Sequence, residues 1–159
     1  FSVYVGQNFG AKNAERIKLG VRQIFLLVGG LSIFAGALTL IFAEPLVSLY
    51  VKPNETEVIQ YSLEFIRIQA WFFPFGWIWL YNSTVKGMGK INISMVSSVV
   101  ELCSKIGLSL LLPIWIGTTG IWFAAPIGYI LGIIPLLIYY YSGRWKKLLT
   151  VPAAEPAKA

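Results

Sequence analysis

The chain alternates long apolar runs with short polar connectors, and the runs exceed the usual length of a strand or a soluble helix. The first run, residues 21–42, carries no charge after Arg22 and is thinned by Gly29, Gly30 and Gly36. Small residues of this kind let membrane helices approach closely. Glu44-Pro45 ends the run, and the connector reaches residue 56. The second run, 58–85, holds Pro74 near its middle with Gly76 beside it. A proline there removes a backbone hydrogen bond, so the pattern predicts a kinked helix. A tight basic turn, Lys86-Gly87-Met88-Gly89-Lys90, leads to the third run, 91–116, with Pro113 near its end. Gly117-Thr118-Thr119-Gly120 is a short loop before the fourth run, 121–141. Ahead of these, residues 1–5 read as the last turn of a helix and 7–13 as a loop. Asn13 is placed as an N-cap, with Glu15 in the first turn where the helix dipole favours an anion. The expected organisation is a helix end and loop over 1–20, four transmembrane helices over 21–141, and a tail over 142–159 whose Pro/Ala end should be disordered.

Composition agrees with hydrocarbon as the solvent. Hydrophobic residues make up 57% of the chain and charged residues 13%, against about 25% charged in soluble domains. The net charge of +6 would suit nucleic acid if it were spread along a surface, but the cations sit in the gaps between apolar runs. Lys12, Arg16, Lys18 and Arg22 mark the first connector, Lys86 and Lys90 the third, and Arg144, Lys146 and Lys147 the segment after Tyr141. The intervening connectors hold only Lys52. This alternation is what the positive-inside rule asks of consecutive spans, and it places the basic connectors and the C-terminus in the cytoplasm. The chain opens on Phe1 inside an apolar phrase with no charged segment before it, so it does not read as a signal peptide; it reads as a fragment of something longer. There is no histidine, and Cys103 stands alone within an apolar run. Phosphate loops, paired metal-ligand spacings and nucleophile elbows are absent, and no cofactor is expected.

Two stretches could carry chemistry. In the second run, Trp71, Phe75, Ile78 and Asn82 fall on one face at helical spacing. One reading is a cavity for a lipophilic cation, held by ring contact and cation–π attraction; the other is lipid contact and helix packing. In the third run Ser94, Ser97, Ser98, Glu101, Ser104 and Lys105 form a polar stripe. Glu101 lies roughly 15 Å along the helix axis from the start of its run, at 1.5 Å per residue. Glu101 and Lys105 are four apart and can pair along the helix. They are either an ion or proton relay, or a self-neutralised pair packed against another helix. Glu64 and Arg67 sit at the outer end of the second run, as interfacial residues or, for Glu64, at the mouth of a cavity. Asn54-Glu55-Thr56 matches a glycosylation sequon, a short and common tripeptide.

Three segments resemble one family in order and spacing. Val5-Gly6-Gln7-Asn8-Phe9-Gly10-Ala11-Lys12-Asn13 resembles the cytoplasmic loop between paired helices in multidrug and toxic compound extrusion (MATE) transporters. Phe72-Phe73-Pro74-Phe75, followed by the Lys86–Lys90 turn, is similar to that family's kinked tenth helix and its basic exit. Gly120-Ile121-Trp122-Phe123-Ala124-Ala125-Pro126-Ile127-Gly128 is similar to the start of its last helix. The resemblance covers residue 1 to about Lys147.

It implies helices nine to twelve of a twelve-helix, two-lobe transporter, preceded by the end of helix eight. It also implies export of drugs or organic cations in exchange for sodium or protons, with the missing N-terminal lobe and the lipid bilayer as partners. The family's tenth helix lines the central cavity, which would give Trp71, Phe75 and Asn82 to the substrate, and the Pro74–Gly76 kink to the bending that opens and closes the cavity. Some members carry a coupling carboxylate in that helix; Phe73-Pro74-Phe75-Gly76 has none here. Two alternatives accompany this reading: a lipid-linked oligosaccharide flippase of the same superfamily, and a non-transporting scaffold subunit.

Overall fold

A computed structural model describes residues 1–75 and 77–150, with the side chains of Phe75, Ile78 and Thr150 also left out of the description. Every element among these residues is helical. In chain order they are α1 (Ser2–Gly10), α2 (Ala14–Ile41), α3 (Ala43–Ser48), α4 (Thr56–Phe72), a 3-10 turn (Phe73–Phe75), α5 (Trp77–Gly87), α6 (Ile91–Ile116), α7 (Thr119–Tyr141) and α8 (Arg144–Thr150). Three of them, α2, α6 and α7, are long and apolar enough to cross a membrane. Their 28, 26 and 23 residues give about 42, 39 and 35 Å at 1.5 Å per residue, against a hydrocarbon core of about 30 Å. Their outward faces remain apolar: Leu26, Leu31 and Phe34 on α2, and Leu110 and Ile114 on α6, are all exposed.

The expected second span differs from a continuous kinked helix. Pro74 lies in the 3-10 turn Phe73–Phe75, and the segment divides into α4 and α5. These have 17 and 11 residues, about 25 and 16 Å, so neither reaches across a bilayer by itself. The break is braced from two sides. On α2, a Cβ at Gly36 would lie 2.9 Å from the Ala70 carbonyl oxygen, so only glycine permits this approach. Phe25 of α2 packs on Trp77 with ring centroids 4.3 Å apart, and Phe72 meets Phe123 of α7 edge-on at 6.1 Å. Irregular backbone at membrane depth is tolerated where protein covers it. Gly76, the second half of the expected kink, lies outside the described residues.

Three further differences have local causes. α1 runs on to Gly10, so the connector expected over 7–13 shrinks to residues 11–13. Asn8 prolongs α1 by donating its amide to the Tyr4 carbonyl at 2.8 Å. The connector after α2 contains the single-turn helix α3, whose Glu44 pairs with Arg67 of α4 at 3.6 Å. Residues 144–150 of the expected tail form α8, pinned by Trp145, which is 1% exposed and donates its indole N–H to the Tyr140 carbonyl at 2.9 Å. The Pro/Ala end, 151–159, lies outside the described residues.

The N-cap is as expected: the Arg16 amide donates to Asn13 Oδ1 at 3.0 Å. Asn13→Ala removes this bond and should destabilise by about 1 kcal/mol. The expected result is a lowered melting temperature of the full-length protein in detergent, restored by Asn13→Ser.

Two packing units result. Val5, Ile17, Val21, Leu80, Met88, Trp145 and Leu149 join α1, the start of α2, α5 and α8. The other is the tight pair α6–α7, which positions the polar stripe.

Candidate functional site

The α6–α7 pair owes its closeness to a row of small residues four apart on α7. Gly120, Ala124, Gly128 and Gly132 are all buried, as is Leu136 after them. A Cβ at Gly120 would lie 2.6 Å from the Leu112 carbonyl carbon, and one at Gly132 would lie 2.7 Å from Glu101 Cβ. One at Gly128 would overlap Lys105 Cγ. Small residues at four-residue spacing bring membrane helices into backbone contact. That contact lets the buried Ser97 hydroxyl donate to the Gly132 carbonyl at 2.6 Å.

Glu101 and Lys105 sit on this seam. Lys105 Nζ donates to Glu101 Oε1 at 2.6 Å, and the two side chains are 27% and 25% exposed respectively. The same ammonium lies 3.7 Å from the centroid of the Tyr129 ring on α7, a cation–π arrangement. The pair is therefore neutralised within its own helix and covered by the neighbouring one. Lys105 has two electron-rich partners, whereas the carboxylate depends on the ammonium.

The carboxylate also borders a groove. Glu101 and Ser98 of α6, with Trp79, Asn82 and Lys86 of α5, line a cavity of about 200 Å³. Asn82 Oδ1 is buried and has no hydrogen-bond partner among the described residues. A buried amide oxygen without a partner is costly in any apolar surrounding, so the groove presents an acceptor able to receive a donor from a ligand. Ser94 Oγ, nearer the start of α6, is likewise buried and unpartnered among the described residues.

The structure distributes the expected aromatic face. Trp71, at the end of α4, is 72% exposed. Asn82 turns into the groove on the other side of the break. The Phe75 side chain and Gly76 lie outside the described residues. The 3-10 turn resets the helical register, so a face counted from Trp71 does not carry through to Asn82. Counting from Asn82 instead, three back and four on along α5, finds Trp79 and Lys86. Ser98, Glu101 and Lys105 repeat that three-then-four spacing on α6. This signal was available in the sequence, and it identifies Trp79 and Lys86 as groove residues that a face drawn through the proline misses.

Midway along α4, rather than at the outer end expected for it, Glu64 accepts a hydrogen bond at 2.6 Å from the Thr119 hydroxyl at the start of α7. It borders a groove of about 400 Å³ together with Arg67, Thr119 and Phe123. Gln69 donates to the Trp122 carbonyl at 3.1 Å. Glu64 thus acts as a tie between α4 and α7. No group of three or more His, Cys, Asp or Glu side chains fit to hold a metal occurs among the described residues.

Comparison with known proteins adds two findings. A family model described as MatE matches residues 1–111. The chain is also similar to "Probable multidrug resistance protein YoeA" of Bacillus subtilis (strain 168), 26% identical over 153 residues, which is 92% of this chain and 32% of that protein. The chain thus spans about a third of that relative's length. No solved structure matches.

Proposed function

The chain belongs to the MatE family of multi-pass membrane transporters, and from that premise we propose that the protein containing it is a secondary active antiporter exporting drugs or organic cations. In this reading α4 and α5 together form a fourth span, and the four spans are part of the second lobe of a twelve-helix, two-lobe transporter of the cell membrane. The basic connectors and the C-terminus face the cytoplasm. The protein moves its substrate unchanged and is no enzyme.

One observation carries the reading within this chain. The segment that breaks at Pro74 is the one that presents a buried amide oxygen, Asn82 Oδ1, with no partner among the described residues, beside an indole, Trp79, in an open groove. A hinge within a span allows the groove to change shape without unfolding either half-helix. Trp79 supplies a ring face for the apolar body of a cation, and Asn82 Oδ1 accepts a hydrogen bond from its ammonium. The coupling ion is sodium or a proton. Glu101, already satisfied by Lys105, supports a structural role for that pair and leaves coupling to carboxylates elsewhere in the full protein. The relative's name points the same way, toward drugs as substrates.

The test is efflux of a fluorescent organic cation by the full-length protein. Trp79→Ala and Asn82→Ala should each lower efflux severalfold at unchanged membrane abundance. Unchanged export by both variants removes these residues from the substrate path. Absence of cation export by the wild type, with movement of a lipid-linked sugar instead, selects the flippase; absence of both selects the scaffold.

A further inference from the structure

A further cavity, of about 370 Å³, opens where the start of α2, the end of α7 and α8 meet α5. Three cations line it: Lys18 and Arg22, one turn apart on α2, and Lys146 on α8, which is brought beside them from 124 residues further along the chain. The convergence is built. Trp145 is buried in the floor, hydrogen-bonded to the Tyr140 carbonyl and stacked on the Tyr140 ring at 5.8 Å. This fixes the first turn of α8, and with it Lys146, against the end of α7. Among the described residues, no acidic side chain is part of the lining. Among the described residues, Glu15 contacts a lining cation, 3.7 Å from Lys18 and 92% exposed, a surface pair of small worth.

The wall adds neutral donors. The Tyr81 and Tyr141 hydroxyls lie 3.0 Å apart. Two hydroxyls carry two protons and their mutual bond uses one, so one O–H is left to donate elsewhere. Three cations and a hydroxyl proton around a partly apolar cavity match the oxygens of a phosphate group. The surroundings identify the source of that phosphate. The cavity lies at the ends of α2 and α7, where membrane-crossing helices meet water. One turn beyond Arg22, α2 exposes Leu26 and Leu27 at 65% and 63%. A headgroup phosphate held at Arg22 would have its acyl chains run along that apolar face, whereas a soluble anion would gain nothing from it.

We propose that this cavity is a binding site for the phosphate headgroup of an anionic membrane lipid, held by Lys18, Arg22 and Lys146. The proposal requires only that the chain crosses a membrane; it stands or falls separately from drug export. Near an anionic leaflet each cation contributes about fivefold to binding, and a cavity shared by three should exceed a tenfold preference.

The experiment is a lipid titration of the full-length protein in neutral detergent, read by native mass spectrometry. Phosphatidylglycerol should be retained at least tenfold better than phosphatidylcholine. Lys18→Gln, Arg22→Gln and Lys146→Gln together should abolish that preference, and Arg22→Gln alone should reduce it. All three side chains are on the surface, so the variants should fold. A charge-matched control, Lys12→Gln, Arg16→Gln and Lys90→Gln, should leave the preference in place. Retention of the preference by the cavity variant overturns the proposal. An equal loss in the control also overturns it, because the effect is then diffuse surface charge. Displacement of the lipid by inorganic phosphate at equal concentration assigns the cavity to a soluble anion and overturns the lipid assignment.

Discussion

Gly132→Leu is expected to lose most of the folded, monodisperse full-length protein, with a destabilisation of about 3 kcal/mol or more. The reason lies in what stands opposite. A Cβ at Gly132 would be 2.7 Å from Glu101 Cβ and 3.3 Å from Glu101 Cα. The second of these is backbone, so no rotamer change on α6 can make room. Either the leucine adopts a strained rotamer or the helices separate. Overpacking of this kind costs about 1–3 kcal/mol and occasionally more. Separation would also break the 2.6 Å bond from Ser97 to the Gly132 carbonyl, a class of bond worth about 0.6 kcal/mol on average between membrane helices. It would pull Tyr129 from Lys105 as well. Gly132→Ala should show a smaller effect of the same sign. Gly107→Leu is the control, because a Cβ there has nothing within 4 Å. Size-exclusion profiles and thermal melts of the detergent-solubilised variants provide the readout. A Gly132→Leu protein as stable as Gly107→Leu would show that the α6–α7 seam is not closed in the way described.

The residues that make this seam were partly legible in the sequence. Apolar run length located α2, α6 and α7 to within a few residues, except that α2 begins seven residues early, at its cap Asn13 rather than at its first uncharged stretch. Capping is local chemistry, so Asn13 could be placed from the sequence. The polar stripe on α6 was equally legible, because helical spacing puts Ser97, Glu101 and Lys105 on one face. Its partner was not. Gly128 and Gly132 read as ordinary glycines in a greasy run until a second helix stands against them, and close approach is a tertiary property. The break at Pro74 defeated the face drawn from Trp71 to Asn82 for a related reason. Proline signals a disturbance without specifying whether the helix bends or restarts. Only the restart, with Phe73–Phe75 as a 3-10 turn, fixes which residues of α5 share a face with Asn82. The basic connectors illustrate the opposite limit. Lys18, Arg22 and Lys146 were visible as charges that set orientation, but their convergence depends on α8 folding back through Trp145, and residues 144–150 carry little signal beyond one buried indole.

The Glu101–Lys105 pair yields the second large effect, and it should be asymmetric. Lys105→Met leaves Glu101 a quarter exposed on the seam without its cation. A carboxylate at a mid-helix position costs about 2.5–3.5 kcal/mol on insertion scales, and partial exposure places the expected destabilisation below that range, at about 2 kcal/mol. Glu101→Gln leaves an ammonium instead, but that ammonium keeps the Tyr129 ring 3.7 Å away, and the new amide can still accept its hydrogen bond. The expected loss is therefore smaller, about 1 kcal/mol, with cation–π attraction supplying the difference. The double variant Glu101→Gln/Lys105→Met removes both charges and should melt closer to wild type than Lys105→Met alone. A double-mutant cycle on the melting free energies checks this directly. Equal losses for the two single variants would contradict the role given to Tyr129, and additive losses in the double variant would contradict the pairing itself. Export by the double variant then decides what the pair is for. A protein that folds and still exports at wild-type rates has used these charges only to join α6 to α7. One that folds but no longer couples export to sodium or to a proton gradient requires the carboxylate in transport, and the groove between Asn82 and Glu101, proposed above for the substrate, then becomes the path of the ion as well.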